Sequence, residues 1–132
     1  MPTNPLDSVH PLLKTRLELV YAAIAVLGYP MRPTEGLRTV ERQQALFAQG
    51  RTKPGKKVTE GDGVMKRSNH QTRVGETFGR AVDSCFVGLN PYLEGHPLFE
   101  QIWAAYGACA EAQGLSWGGR WKSKDRPHVE LV

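Results

Sequence analysis

Two histidines and one aspartate carry the strongest chemical signal in the chain. His70 and Asp83 stand on either side of a stretch of twelve residues, and His128 falls near the far end, in Asp125-Arg-Pro-His128-Val-Glu-Leu. Two imidazoles and a carboxylate form the ligand set of a zinc site whose fourth position is left to water, and that open position separates reactive zinc from structural zinc. Because His70 and His128 are distant in sequence, the fold has to bring them together. Glu130 alternates with His128 on a strand and so shares its face, which makes it a candidate to orient that imidazole or to act as a base. Cys85 follows Asp83 by two residues and would share its strand face, where packing is as good a reading as ligation. It ranks below both histidines. His10 and His96 fall at helix starts, where capping is expected rather than metal binding.

Hydrophobic periodicity predicts the elements that must position these groups. Leu13, Leu17, Val20, Ile24 and Leu27 recur at steps of three and four, the mark of an amphipathic core helix, with Asp7 or Ser8 as N-cap and Gly28 as stop. The stretch from Tyr29 to Thr39 holds two prolines and predicts an edge or irregular strand that delivers Arg38 at its end, before a second helix over about 40–48. From Gln49 to Met65 the chain mixes glycines, basic residues and a proline without period. That predicts a long loop, a candidate cleft rim because it runs into Ser68-Asn69-His70. A strand through Asp83, a turn-rich connection and a helix opened by Pro97 follow, the helix carrying Leu98, Ile102, Tyr106, Cys109 and Ala110 on one face and ending at Gly114. Two short strand-like pieces close the chain as a hairpin presenting His128. The order helix, strand, helix, strand, helix, strand, strand predicts an α+β fold. Helices pack on one side of a small, mainly antiparallel sheet, and the zinc site lies on its open face.

A length of 132 residues, 40% hydrophobic content and no long polar tract suit one domain spanning residues 1–132. The net charge of +4 and pI near 9.3 favour polyanionic partners through long-range attraction. Apart from Arg51, Lys53, Lys56 and Lys57, and Lys122, Lys124 and Arg126, the basic residues are scattered, so a solvated surface is preferred to a nucleic-acid groove. The N-terminus lacks a basic segment followed by an apolar run, and no stretch approaches membrane-spanning length, so synthesis in the cytoplasm without a signal peptide is expected. Cys85 and Cys109 are expected to stay reduced and buried.

The residues around the candidate ligands resemble the M15 family of zinc peptidases, the D-alanyl-D-alanine and L-alanyl-D-glutamate peptidases of bacterial cell walls, which include many phage endolysins. The family pattern of Ser-x-His, a short interval, Gly-x-Ala-x-Asp and a later Pro-His is matched by Ser68, His70, Gly79, Ala81, Asp83, Pro127 and His128. Glu35-Gly36-Leu37-Arg38-Thr39 with Gln43 is similar to its upstream arginine-containing segment. The resemblance covers about residues 34–131. Two departures stand out: the interval between His70 and Asp83 is about six residues longer than the usual form, with Arg73-Val-Gly-Glu-Thr-Phe78 as the apparent insertion, and Arg120 stands where many relatives carry Asp. The resemblance implies one zinc per chain on His70, Asp83 and His128, Asp125 as catalytic acid or base, and Arg38, Ser68 and Gln43 as substrate-binding residues. It implies the fold of hedgehog and D-alanyl-D-alanine peptidases. Plainer roles stay open beside these. Asp125 could cap the turn before Arg126-Pro127, Arg38 could pair with Glu41 or another surface acid, and Ser68 suits hydrogen-bond support better than nucleophilic attack. Glu76, six residues past His70, is the rival to Asp83 for the metal.

The function this resemblance implies is hydrolysis of the peptidoglycan stem peptide by a monomeric L-alanyl-D-glutamate endopeptidase of phage-endolysin type, made without a signal peptide and acting on the wall after release. The alternatives are a D-alanyl-D-alanine carboxypeptidase and a zinc-stabilised wall-binding module without turnover. From outside the family, a basic nucleic-acid-binding domain with incidental histidines is the competing reading. A chain this short is expected to hold no separate wall-binding module, so the catalytic domain itself must recognise the polymer. No nucleic-acid partner and no membrane span are expected.

Overall fold

The computed structural model describes residues 4–38, 40–49, 51–52, 69–71 and 78–132. Most of the expected loop from Gln49 to Met65, together with Ser68, Glu76 and all but Phe78 of the apparent insertion, lies outside the described residues.

A 3-10 turn, Pro5–Ser8, opens the described chain, capped where Asn4 accepts from the Leu6 amide at 3.0 Å. The first helix, α1 (Pro11–Val26), then starts on proline, whose missing N–H is no loss in a first turn. Its N-cap is His10, which accepts the Leu12 amide on Nδ1 at 3.1 Å. Asp7 and Ser8, expected as caps, belong to the preceding turn because Pro11 fixes the helix start. Leu13, Leu17, Val20 and Ile24 form the fully buried stripe. Leu27 falls past the last turn and stays 57% exposed, and Gly28 ends the helix at φ +98°.

The remaining elements are β1 (Met31–Glu35), α2 (Val40–Ala48), β2 (Ala81–Phe86), α3 (Phe99–Ala112), β3 (Leu115–Trp117) and β4 (His128–Leu131). The strands pair antiparallel throughout, in the order β1-β2-β4-β3. Helices α1 and α3 pack on one face of the sheet. There Ile102, Trp103, Tyr106 and Ala110 of α3 meet Met31, Val82, Phe86, Leu115, Val129 and Leu131. Burying each large side chain in that layer contributes about 1.5 to 3 kcal/mol. Ser84 points the same way, and its hydroxyl is satisfied by the phenols of Tyr21 at 2.6 Å and Tyr106 at 3.3 Å.

The pleat sends alternate residues to opposite faces, so Asp83 on β2 and His128 and Glu130 on β4 point away from the helices. Asp83 and His128 are direct partners across the β2–β4 ladder. A bulge in β1 extends this arrangement. Met31, Arg32 and Pro33 pair in step with Phe86, Cys85 and Ser84, but Glu35 rather than Thr34 pairs with Asp83. In a regular strand Glu35 would join Met31 on the helix side, and the extra residue turns it onto the face of Asp83. Thr34 secures the bulge by donating from Oγ1 to the Asp83 carbonyl at 3.1 Å. Cys85 is buried, and neither it nor Cys109 forms a disulfide.

Candidate metal centre

His70 reaches the open face of the sheet from outside it. Its segment is held on one side by the Arg38 amide, which donates to the His70 carbonyl at 2.6 Å, and on the other by the Arg80 amide, which donates to the Asn69 carbonyl at 2.8 Å. Gly79 suits this closeness, since a Cβ there would stand 3.1 Å from the His70 carbonyl oxygen and 3.2 Å from Leu37 Cα, tighter than most side-chain contacts. The ring is set by its Nδ1–H, which donates to the Gly36 carbonyl at 2.8 Å and leaves Nε2 facing Asp83. Gly36 is itself wedged against the opening turn. A Cβ on it would collide with the Pro5 carbonyl and lie 2.7 Å from Ser8 Oγ, the oxygen that accepts the Leu37 amide at 2.9 Å.

His128 is set from the opposite side. Its Nε2–H donates to Glu130 Oε1 at 2.8 Å, and the other oxygen of Glu130 accepts from the Asn69 amide nitrogen. Nδ1 therefore faces Asp83, 3.4 Å from Oδ1, and Asp125, 3.8 Å from Oδ2. A carboxylate behind an imidazole in this way fixes its tautomer and raises its basicity. Burial disfavours the imidazolium, but Asp83 and Glu130 outweigh it, and the His128 pKa is pushed up to about 9.

Asp83 joins the two imidazoles. Oδ1 is buried, stands 3.3 Å from His70 Nε2 and 3.4 Å from His128 Nδ1, and makes no hydrogen bond among the described residues. Burial alone would raise its pKa, yet the two facing imidazoles hold the carboxyl well below the usual carboxylate range. Donor atoms of all three residues lie within 4.8 Å of one another. Zinc bonds of 2.0 to 2.1 Å in a tetrahedron place donors about 3.3 Å apart, close to both contacts of Oδ1. The donor chemistry and the orphaned oxygen thus fit a divalent metal.

Asp125 stands at the rim, its side chain 44% exposed. Desolvation and then the charge of Asp83 raise its pKa. Gly118 braces this corner: its carbonyl accepts the Asp125 amide at 2.9 Å, and a Cβ on it would strike the Asp125 carbonyl and lie 3.1 Å from His128 Cβ. Arg38 is buried. It donates to both oxygens of Glu35 at 3.0 and 2.9 Å and to Gln43 Oε1 at 2.6 Å, and its Nη2 lies 3.8 Å from Asp83 Oδ2. Among the described residues its bidentate acid partner is Glu35, delivered by the bulge. Burial opposes ionisation of Glu35, but Arg38 holds its carboxyl below the ordinary value.

The site opens into a cleft of about 490 Å³ lined by Thr34, Glu35, Arg42, Asp83, Tyr92, Asp125 and Pro127. The structure thus gathers His70, Asp83, His128 and Asp125, with Arg38 and Gln43 beside them. Sequence reasoning passed over Asn69 and the Gly36 carbonyl. Asn69 could have been picked out between Ser68 and His70, whereas a carbonyl leaves no trace in residue type. It also left Trp121 unassigned, whose ring centroid lies 4.8 Å from that of His128. Arg120 turns from the cleft to α3, where Nε and Nη2 donate to Glu111 at 3.1 and 3.0 Å.

Comparison with known proteins agrees with this geometry. The family described as D-alanyl-D-alanine carboxypeptidase, in the M15 peptidase group, matches residues 62–131. The peptidoglycan L-alanyl-D-glutamate endopeptidase CwlK of Bacillus subtilis is 30% identical over 127 residues, covering 96% of this chain and 75% of CwlK. Among solved structures, the L-Ala D-Glu endopeptidase ChiX of Serratia marcescens superposes with a TM-score of 0.61 at 27% identity, over 97% of this chain and 84% of ChiX. The LD-carboxypeptidase LdcB, at 15% identity, has a TM-score of 0.66 over 100% of this chain and 63% of its own. DacB of Streptococcus pneumoniae, at 19% identity, has a TM-score of 0.64 over 98% of this chain and 68% of its own, and these last two speak to the fold alone. With its α+β fold and His-Asp-His cluster accounted for, the chain belongs to the M15 family of peptidases.

Proposed function

We propose that the protein is a zinc-dependent peptidoglycan hydrolase that cuts the stem peptide between L-alanine and D-glutamate. The observation that carries the metal is the buried Asp83 Oδ1 between two imidazole nitrogens. The specificity rests on the likeness to CwlK across nearly the whole chain. His70, Asp83 and His128 would hold the ion. Bound there, zinc supplies Lewis acidity toward the scissile carbonyl and lowers the pKa of a water to about 7.

The chain's own groups do the rest. Asp125, with a raised pKa and a place on the cleft wall, can take a proton from the attacking water and pass it to the leaving amine. Its contact with His128 Nδ1 keeps it beside the cluster. Glu130 and the Gly36 carbonyl hold the two imidazoles in register, each from the nitrogen turned away from Asp83. Arg38, gripped by Glu35 and Gln43, steadies the Asp83 carboxylate through Oδ2. Ser68, next to Asn69, stays assigned to hydrogen-bond support of the substrate on the family pattern.

The enzyme is proposed to act as a monomer with one catalytic domain that recognises the wall polymer itself. Among the described residues no helix is long and apolar enough to cross a membrane. A phage-endolysin role, implied by the family resemblance, goes with this reading, and added protein should then clear suspensions of cells with exposed walls. Mass spectrometry of digested peptidoglycan tests the reaction. New N-terminal D-glutamate and new C-terminal L-alanine are expected, zinc should restore activity to chelator-treated enzyme, and loss of terminal D-alanine alone would replace this reading with a carboxypeptidase.

A further inference from the structure

We propose that Tyr92, in the β2–α3 connection, is a substrate-binding residue whose phenol O–H donates to a main-chain carbonyl oxygen of the peptide lying in the cleft. The inference rests on the endopeptidase reading above and names how the cleft holds the peptide away from the bond that is cut. Donors and acceptors on the cleft wall do not balance. An extended peptide brings one carbonyl acceptor per residue, and each one taken from water needs a donor in exchange. The wall is rich in acceptors instead: Glu35, Asp83 and Asp125 contribute carboxylates, and Pro127 has no N–H.

The other side-chain donors on that wall are engaged. The Thr34 hydroxyl donates to the Asp83 carbonyl at 3.1 Å, and Arg42 forms an ion pair with Glu35, Nε to Oε1 at 3.7 Å. Tyr92 differs from both. It lines the same cleft, is 41% exposed, and its phenol makes no hydrogen bond among the described residues. Its contacts run through the backbone, the amide donating to Asn90 Oδ1 at 3.3 Å and the carbonyl accepting from Trp103 Nε1 at 3.2 Å. The phenols of Tyr21 and Tyr106, by contrast, are both bonded to Ser84 Oγ.

The main chain is arranged to keep the phenol there. Leu93 takes φ +60°, a left-handed conformation that side chains rarely adopt, and is fully buried in the core. Its amide donates to the Asn90 carbonyl and its carbonyl accepts the His96 amide, each at 2.9 Å. The reversal at Leu93 commits that side chain to the core and leaves its neighbour Tyr92 on the cleft. Position then selects the part of the peptide that is met. The Phe86 amide donates to the Pro91 carbonyl at 2.9 Å, so the tyrosine backbone stands beside the end of β2, roughly 10 Å along the strand from Asp83. An extended peptide advances roughly 3.3 Å per residue, which puts the contact about two to three residues from the cut, outside the alanyl-glutamate pair.

The test is a binding measurement on zinc-loaded Asp125→Asn protein, disabled for turnover. Calorimetry follows synthetic peptides extended one residue at a time on either side of L-alanyl-D-glutamate, with Tyr92 intact or changed to phenylalanine. Tyr92→Phe removes the hydroxyl and keeps the ring and the backbone hydrogen bonds. The parent should gain affinity at the length that first supplies the contacted carbonyl, and from that length onward the Tyr92→Phe protein should bind about threefold to tenfold more weakly, the worth of a neutral hydrogen bond. On the bare dipeptide the two should bind alike. Equal affinities at every length overturn the assignment, and so does an equal loss at every length, which marks a structural role. Tyr92→Leu binding weakly where Tyr92→Phe binds normally overturns it as well, because the contact then belongs to the ring. Failure of the endopeptidase reading looks different: wild-type enzyme would leave the wall polymer uncut while the Tyr92-dependent step in affinity persisted.

Discussion

Replacing Glu130 should weaken metal binding far more than it weakens chemistry. Its carboxylate is 19% exposed and uses both oxygens, one on His128 Nε2–H at 2.8 Å and one on the Asn69 side-chain amide. Glu130→Gln keeps a carbonyl acceptor for the imidazole but removes the charge and turns an NH2 toward the NH2 of Asn69. Glu130→Ala leaves a largely buried N–H without an acceptor. Groups that orient a ligating histidine are typically worth about 10-fold to 100-fold in metal affinity, or about 1.4 to 2.7 kcal/mol. The glutamine variant should fall near the lower figure and the alanine variant near the upper one. Competition for zinc against a chelator of known affinity measures this directly, and kcat/KM at saturating zinc measures the chemistry separately. Because Glu130 addresses the nitrogen turned away from Asp83 and Asp125, most turnover should return when zinc is saturating. Unchanged affinity would refute the orienting role, and turnover lost at full zinc occupancy would make Glu130 the acid or base.

Asp125→Asn should keep its zinc and its fold and lose about 100-fold to 10,000-fold in kcat, the usual worth of a general acid or base; near-normal turnover would remove it from the chemistry. His70→Ala, His128→Ala and Asp83→Ala should each lose the metal while Glu76→Ala keeps it, and metal analysis showing the reverse for the two acids would exchange their roles. The raised pKa of His128 means that a proton must leave before the metal binds at any pH below about 9. Zinc affinity should therefore climb by about tenfold per unit through pH 7 to 9 and flatten above, and a plateau reached near the ordinary value of 6.5 would contradict the ring's environment.

How much of this could be read in the sequence depends on which atoms do the work. The buried stripe of α1 was legible because Leu13, Leu17, Val20 and Ile24 follow the helical period, and Gly28 ended it as expected. The order of strands and helices was legible from the same periodicity and from turn residues. The His70, Asp83 and His128 cluster was legible as three residue types in a known pattern; Asp83 and His128 converge as partners on adjacent strands, and His70 is brought to them by the Arg38 and Arg80 amides. The helix start was misread because Asp7 and Ser8 are good caps by type, whereas Pro11 lets the helix begin only after His10.

What escaped the sequence are contacts made by backbone and by parity. The Gly36 carbonyl that sets His70 could not be seen, because every residue offers one. Arg38 was expected at a strand end, but its commitment to Glu35 depends on one extra residue at Thr34. A strand's side chains alternate, so a single bulge exchanges the faces of everything beyond it. Were the ladder regular, Glu35 would point toward the helices and Arg38 would lose its bidentate partner. With the bulge in place Glu35 lies on the face of Asp83 and holds the Arg38 guanidinium with both its oxygens. Whether Glu35 reaches Arg38 is thus decided by a shift of one residue in an edge strand, and residue types alone are the same in both cases.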